Sequence, residues 1–177
     1  LAIGLTASSS ALQAAVRPAV VFQPYDEADY RLYMANTRQQ ITLVGTSLMQ
    51  NAVVGDVDGD GLEDELVFHD GSSGGLGCYE IPPDGIWRPQ NLSVVPGVHS
   101  DAMPLTVLRT GGNGTPGLIV YTSPSNGQAY AARLDTGAPT PLGVIYQAYA
   151  VDARLQGFKG DLLWTSGNGM YWRAGAI

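Results

Sequence analysis

Short apolar runs, each broken by residues that favour turns, recur along the whole chain. Four segments share a strand–turn–strand pattern. They are Ala19-Val20-Val21-Phe22 with Tyr30-Arg31-Leu32-Tyr33; Glu65-Leu66-Val67-Phe68 with Cys78-Tyr79-Glu80-Ile81; Gly117-Leu118-Ile119-Val120-Tyr121 with Ala129-Tyr130-Ala131; and Asp161-Leu162-Leu163-Trp164 with Gly169-Met170-Tyr171-Trp172. The runs are short, rich in β-branched and aromatic residues, and bounded by glycine, proline and asparagine, which predicts strands. Matching positions Val20, Leu66, Leu118 and Leu162 recur at intervals of about 44 to 52 residues, the period of a propeller blade. Asp70-Gly71, Asn126-Gly127 and Asn168-Gly169 supply hairpin turns inside the repeats.

Each repeat divides into up to four strands. The second is predicted at 51–55, 65–69, 77–81 and 91–95; the third at 104–109, 118–122, 128–134 and 141–145. The fourth has 149–155, 162–165 and 170–174 and lacks an outer strand. The first has an inner strand at 11–16, then 19–22, 30–34 and 41–45. The fold expected is all-β, a four-repeat propeller-like domain (17–47, 48–98, 99–146 and 147–177) preceded by an N-terminal segment, 1–16. Ala2, Ile3, Gly4, Leu5 and Thr6 are left over and match the deficit in the last repeat. They are expected to complete its open edge, either within the chain or in a neighbouring copy. The same apolar, small-residue stretch through Ala15 also has the composition of the tail of a secretory leader.

One loop carries chemistry. Asp56-Val57-Asp58-Gly59-Asp60-Gly61-Leu62-Glu63-Asp64 alternates carboxylates and then adds one more. Calcium accepts six to eight oxygen ligands in flexible geometry. Asp56, Asp58, Asp60 and Asp64 are candidate carboxylate ligands, and Leu62 a candidate backbone-carbonyl ligand. Gly59 and Gly61 permit the positive φ that so tight a wrap requires. An EF-hand is excluded, because its twelfth position needs a bidentate glutamate and here holds Val67, and both flanks read as strands.

With strands on either side, Gly55 to Val67 resembles the FG-GAP/VCBS-type repeat of integrin α-chain propellers and related extracellular proteins. The likeness is confined to about fourteen residues. It implies a calcium-bound loop in a β-propeller blade.

The equivalent stretch of the third repeat, Arg109 to Gly117, keeps Asn113-Gly114 but no carboxylate. That of the fourth, Asp152 to Gly160, keeps Asp152 with Arg154 and Lys159 nearby, so a side-chain cation is expected in place of a metal there. One calcium ion is expected, not four.

Composition narrows the rest. Charged residues are only 14% of the 177, while Gly 23 and Pro 11 suit a turn-rich β fold. The net charge is −7 and the 9 Lys and Arg are scattered, which argues against a nucleic-acid surface. No run is long enough to span a membrane. Cys78 stands alone and reads as a small buried strand residue. Asn91-Leu92-Ser93 and Asn113-Gly114-Thr115 are glycosylation sequons, usable if the protein is secreted from a eukaryote.

No catalytic grouping emerges. His69 and Asp70 adjoin Ser72 and Ser73 without a nucleophile elbow, and His69 reads as a polar strand-end residue. Trp87, Tyr146, Tyr149, Trp164, Tyr171 and Trp172 sit near repeat ends, suited either to sugar stacking or to packing between sheets. The expectation is a non-enzymatic, extracellular calcium-binding structural module that assembles as a homo-oligomer or polymer, with a calcium-dependent lectin as the alternative and an enzyme domain ranked below both.

Overall fold

A computed structural model describes residues 19–23, 25, 30–34, 38–43, 49–71, 74–81, 92–109, 111, 114–136, 138–151, 160–167 and 169–173. Among these the chain is all-β, without a helix, and every strand pairing is antiparallel. The first sheet holds β1 (Ala19–Phe22), β2 (Tyr30–Met34) and β3 (Gln39–Leu43). The second holds β4 (Met49–Gly55), β5 (Glu65–Asp70), β6 (Leu76–Glu80) and β7 (Leu92–Val94). The third holds β8 (Met103–Leu108), β9 (Leu118–Ser123), β10 (Gln128–Ala132) and β11 (Thr140–Gly143). The fourth holds β12 (Gln147–Val151), β13 (Asp161–Ser166) and β14 (Gly169–Arg173).

Every sheet is a meander in chain order. Among the described residues the strands follow the sequence pattern to within a few residues. No closed barrel forms among the described residues. The inner strand expected at 11–16 and the surplus segment 2–6 lie outside them.

The second, third and fourth sheets pack in series, β4 against β8 and β8 against β12, and β1 of the first sheet adjoins β4. Val67, Leu76 and Cys78 of the second sheet bury against Val107, Ile119 and Tyr121 of the third. Leu118, Val120 and Ala131, on the opposite face of the third, bury against Ala148 and Leu162 of the fourth, with Trp164 packed beside them. Both faces of β5 and β9 are therefore covered. This is why they read as continuous apolar runs (Leu66-Val67-Phe68 and Leu118-Ile119-Val120-Tyr121) instead of alternating ones. Burying each such side chain contributes about 1.5–3 kcal/mol. Cys78 is buried on β6, as its strand context implied, and burial pushes its thiol up to about 12, so it is inert.

Two hairpins differ in detail from the sequence expectation. Ser166 pairs with Gly169, so the last turn falls one residue earlier than Asn168-Gly169, with Gly167 taking the left-handed conformation at φ +54°. The β9–β10 turn spans four residues. Its Gly127 is left-handed (φ +68°) and donates its N–H to the Ser123 carbonyl at 2.9 Å.

Candidate metal centre

The acidic loop connects β4 to β5, entering at Gly55 and leaving at Glu65. Its fold follows from side chains capping their own backbone, as short Asp side chains do. Asp56 is buried and accepts the Gly59 N–H at 2.8 Å and the Gly61 N–H at 3.1 Å. Asp58 accepts the Asp60 N–H at 2.9 Å, and Asp60 accepts the Leu62 N–H at 2.7 Å. Gly59 and Gly61 sit at φ +87° and +100°, a region that strains other residues. The outcome is that carboxylate oxygens of Asp56, Asp58 and Asp60 all lie within 4.8 Å of one another, two of the three residues facing solvent.

Two groups that the motif did not name complete the surroundings. Glu65, at the start of β5, is buried, and its Oε2 accepts the Val57 N–H at 2.7 Å. Burial, followed by the neighbouring carboxyl groups, drives Glu65 up to about 9 against the opposing hydrogen bond from Val57. Burial likewise raises Asp64, against the opposing side-chain hydrogen bond with Glu65. Asp56 is raised too, burial outweighing the Gly59 N–H and the Arg109 guanidinium. Arg109 follows β8 in the third sheet, and its Nε lies 3.1 Å from Asp56 Oδ2. The carboxyl groups of Asp56, Asp58, Asp60, Asp64 and Glu65 thus crowd together, in a setting whose electrostatics favour an added cation.

The loop is also sewn to its counterpart in the third sheet. Gly114 donates its N–H to the Gly59 carbonyl at 2.5 Å, and Gly117 donates to the Val57 carbonyl at 3.0 Å. A Cβ on Gly59 would meet the Thr115 carbonyl carbon and oxygen at 2.5 Å, and one on Gly117 would collide with the Asp56 carbonyl. The segment that lost its acids therefore supports the one that kept them.

Of the five expected ligands, the structure brings together Asp56, Asp58 and Asp60. Asp64 stands apart from these three and interacts with Glu65, and Leu62 enters the network through its N–H. Sequence reasoning missed Glu65, which looked like the first residue of an apolar strand. It also missed the pairing of Arg109, whose signal was its alignment with Asp56 one repeat earlier. Asn91, Asn113, Ala2, Ile3, Gly4, Leu5 and Thr6 lie outside the described residues, as do Asp152, Arg154 and Lys159.

Elsewhere, polar clusters hold the chain together. Ser123, fully buried, donates to Asp101 Oδ1 at 2.8 Å, and Asp101 Oδ2 accepts the Ser125 N–H at 2.7 Å. His99 Nδ1 bonds the Tyr121 hydroxyl at 3.1 Å, and His69 Nδ1 lies 2.9 Å from the Ala102 carbonyl. The serine is thus held by a carboxylate and the imidazoles by other groups, an arrangement suited to bracing strand ends. A cleft of about 260 Å³ opens between β4, β8 and β12, lined by Val54, Leu105, Val107 and Ala148 together with Arg109 and Tyr149.

No protein-family model matches the chain, and no curated protein matches it. Among the described residues no helix is long and apolar enough to cross a membrane.

Proposed function

We propose that this chain is a non-catalytic, extracellular module of the FG-GAP/VCBS type that holds one calcium ion in the loop 56–64. The observation that carries this reading is the convergence of Asp56, Asp58 and Asp60 within 4.8 Å, beside two further carboxyl groups that burial disfavours. Oxygen-only donors suit calcium better than zinc or copper. Asp64 and the Leu62 carbonyl complete the set, and the ion rigidifies the loop at the contact between the second and third sheets. The four sheets act as blades of a propeller, whose ring is completed by residues 2–6 supplying the last outer strand. Supplied to a neighbouring copy, that strand links chains head to tail into a surface fibre or adhesive layer.

Thermal unfolding with and without chelator tests the metal reading. Calcium at a hundredfold excess over its dissociation constant stabilises by about 2.7 kcal/mol, which is about 5–10 °C for a chain of this length. An unchanged melting temperature contradicts the reading.

A calcium-dependent sugar binder is the second reading, favoured by the cleft beside the loop, which has the half-exposed Tyr149 among its lining residues. A glycan array probed with calcium-loaded protein separates the two readings: specific hits that vanish with chelator favour the second.

A further inference from the structure

The β9–β10 turn carries chemistry that neither the metal loop nor the strand packing uses. Its Asn126-Gly127 pair is one of three Asn-Gly pairs in the chain, with Asn113-Gly114 and Asn168-Gly169. In such a pair the backbone nitrogen of the second residue can attack the side-chain amide of the first, and a glycine has no Cβ to obstruct it. Asparagine is accordingly among the thermolabile residues.

Asn126 and Gly127 are exposed, so water reaches both. The reacting groups are nonetheless held. The nucleophile is the Gly127 nitrogen, which donates its N–H to the Ser123 carbonyl at 2.9 Å. The electrophile is Asn126 Cγ. Its Oδ1 accepts the Gln128 N–H at 2.9 Å, which fixes which end of the amide is oxygen. The leaving nitrogen, Nδ2, donates to the Tyr130 hydroxyl at 2.9 Å. Tyr130 is itself fixed, its ring 4.4 Å from that of His99 and stacked on Tyr121 at 5.4 Å between centroids. Ser123 is fully buried and donates to Asp101, so the carbonyl that holds Gly127 belongs to an anchored residue. Ring closure removes the Gly127 proton and expels Nδ2, so the bonds to Ser123 and Tyr130 must both break first.

We propose that Asn126 is a self-modification site gated by this hairpin: the closed turn preserves the amide, and local opening exposes it to cyclisation. In the open turn the Gly127 nitrogen bonds to Asn126 Cγ and loses its proton. The Cγ–Nδ2 bond breaks, and Nδ2 leaves as ammonia with that proton. Water then opens the succinimide at either carbonyl, giving aspartate or isoaspartate at position 126. No electron is transferred, and solvent water is the only co-reactant. The two products have different fates. Aspartate keeps the backbone length, and the Tyr130 hydroxyl can turn to donate to its carboxylate. Isoaspartate routes the backbone through Cγ and lengthens a turn whose span is set by the Gln128↔Ser123 pair and the Gly127–Ser123 bond. The isoaspartyl turn therefore does not close again, and it records that the hairpin has opened. Such opening is separate from global unfolding, because loops open at lower cost than the core beneath them.

Long incubation of the full chain in calcium-containing, mildly alkaline buffer tests the proposal, with the urea-unfolded chain as reference. Tandem mass spectrometry reads amide loss at Asn126 separately from Asn113 and Asn168. The folded wild type is expected to lose the Asn126 amide at least tenfold more slowly than the unfolded chain. Tyr130→Phe keeps the ring and removes the hydroxyl that holds Nδ2. It is expected to speed the loss at Asn126 without a matching rise at Asn168, with near-ultraviolet circular dichroism verifying that the fold is kept. Isoaspartyl chains, separated from aspartyl ones, should show fast hydrogen exchange at the Gly127 and Gln128 amides. A folded rate that equals the unfolded one overturns the proposal, as does an unfolded chain that keeps its Asn126 amide. So does a Tyr130→Phe rate that is unchanged, or that rises equally at Asn168. Isoaspartyl chains with wild-type protection at Gly127 and Gln128 overturn the claim that the turn cannot close again.

Discussion

Arg109 Nε lies 3.1 Å from Asp56 Oδ2, joining equivalent positions of two successive repeats. Each residue follows the first strand of its sheet, β4 for Asp56 and β8 for Arg109. The carboxylate that opens the candidate cation loop is thus neutralised by the residue that replaced its counterpart one repeat later. Asp56 is almost wholly buried and the Arg109 side chain mostly so, which makes this pair more consequential than a surface ion pair.

Arg109→Met is therefore expected to destabilise the cation-free protein by about 3 kcal/mol, since it leaves a buried carboxylate without its charge partner. Calcium should recover part of that loss by supplying the missing positive charge. Urea denaturation of both proteins, with and without calcium, measures both effects. A loss below about 0.5 kcal/mol in the absence of calcium contradicts the importance of the pair.

Glycines of the two sewn loops should differ sharply in tolerance. Gly114 has φ +88° with nothing within 4 Å of where a Cβ would stand, so Gly114→Ala should cost only the left-handed penalty of about 1–2 kcal/mol. Gly59 has a similar φ of +87°, but its added methyl meets the Thr115 backbone at 2.5 Å. Gly59→Ala is expected to cost clearly more and to weaken cation binding, because the loop must shift to admit the methyl. Equal costs for the two substitutions, read from chemical denaturation, contradict the close approach.

Asp101 provides a pH signature away from the loop. Burial raises its carboxyl, but the Ser125 N–H and the Ser123 and Ser125 hydroxyls outweigh burial and hold it down to about 2. A carboxyl depressed in the folded state contributes stability that is fully present above its unfolded value of about 3.9 and is lost as pH falls through about 2. Solvent screening at this site limits the contribution to about 1 kcal/mol. Asp101→Asn should flatten the stability profile between pH 4 and 2 relative to the wild type, as followed by thermal melts across that window. A parallel profile for the two proteins contradicts the assignment.

The strand pattern was legible because every repeat obeys local rules. Runs such as Leu118-Ile119-Val120-Tyr121 are apolar throughout, since sheets cover both their faces, and Gly127 marks its turn by its own chemistry. The loop was legible for the same reason: its capping hydrogen bonds run from Asp56, Asp58 and Asp60 to residues only two to five positions away. What stayed hidden was long-range. Glu65 reads as the edge of a strand, and only the folded chain places it against Val57 and Asp64. Arg109 meets Asp56 across two sheets, and the alignment of Tyr149, Leu163 and Trp172 in one cross-strand row depends on strand register that no local rule specifies. The turn at Gly167 was displaced by one residue because Gly167 and Gly169 both permit it, and pairing with β13 decides between them.

Isothermal titration of chelator-stripped protein with calcium, repeated on Asp58→Asn and Asp60→Asn, tests the central claim most directly. The account predicts one ion per chain in the wild type and at least a tenfold loss of affinity in each variant. No binding by the wild type, a stoichiometry of two or more, or undiminished affinity in both variants would contradict it.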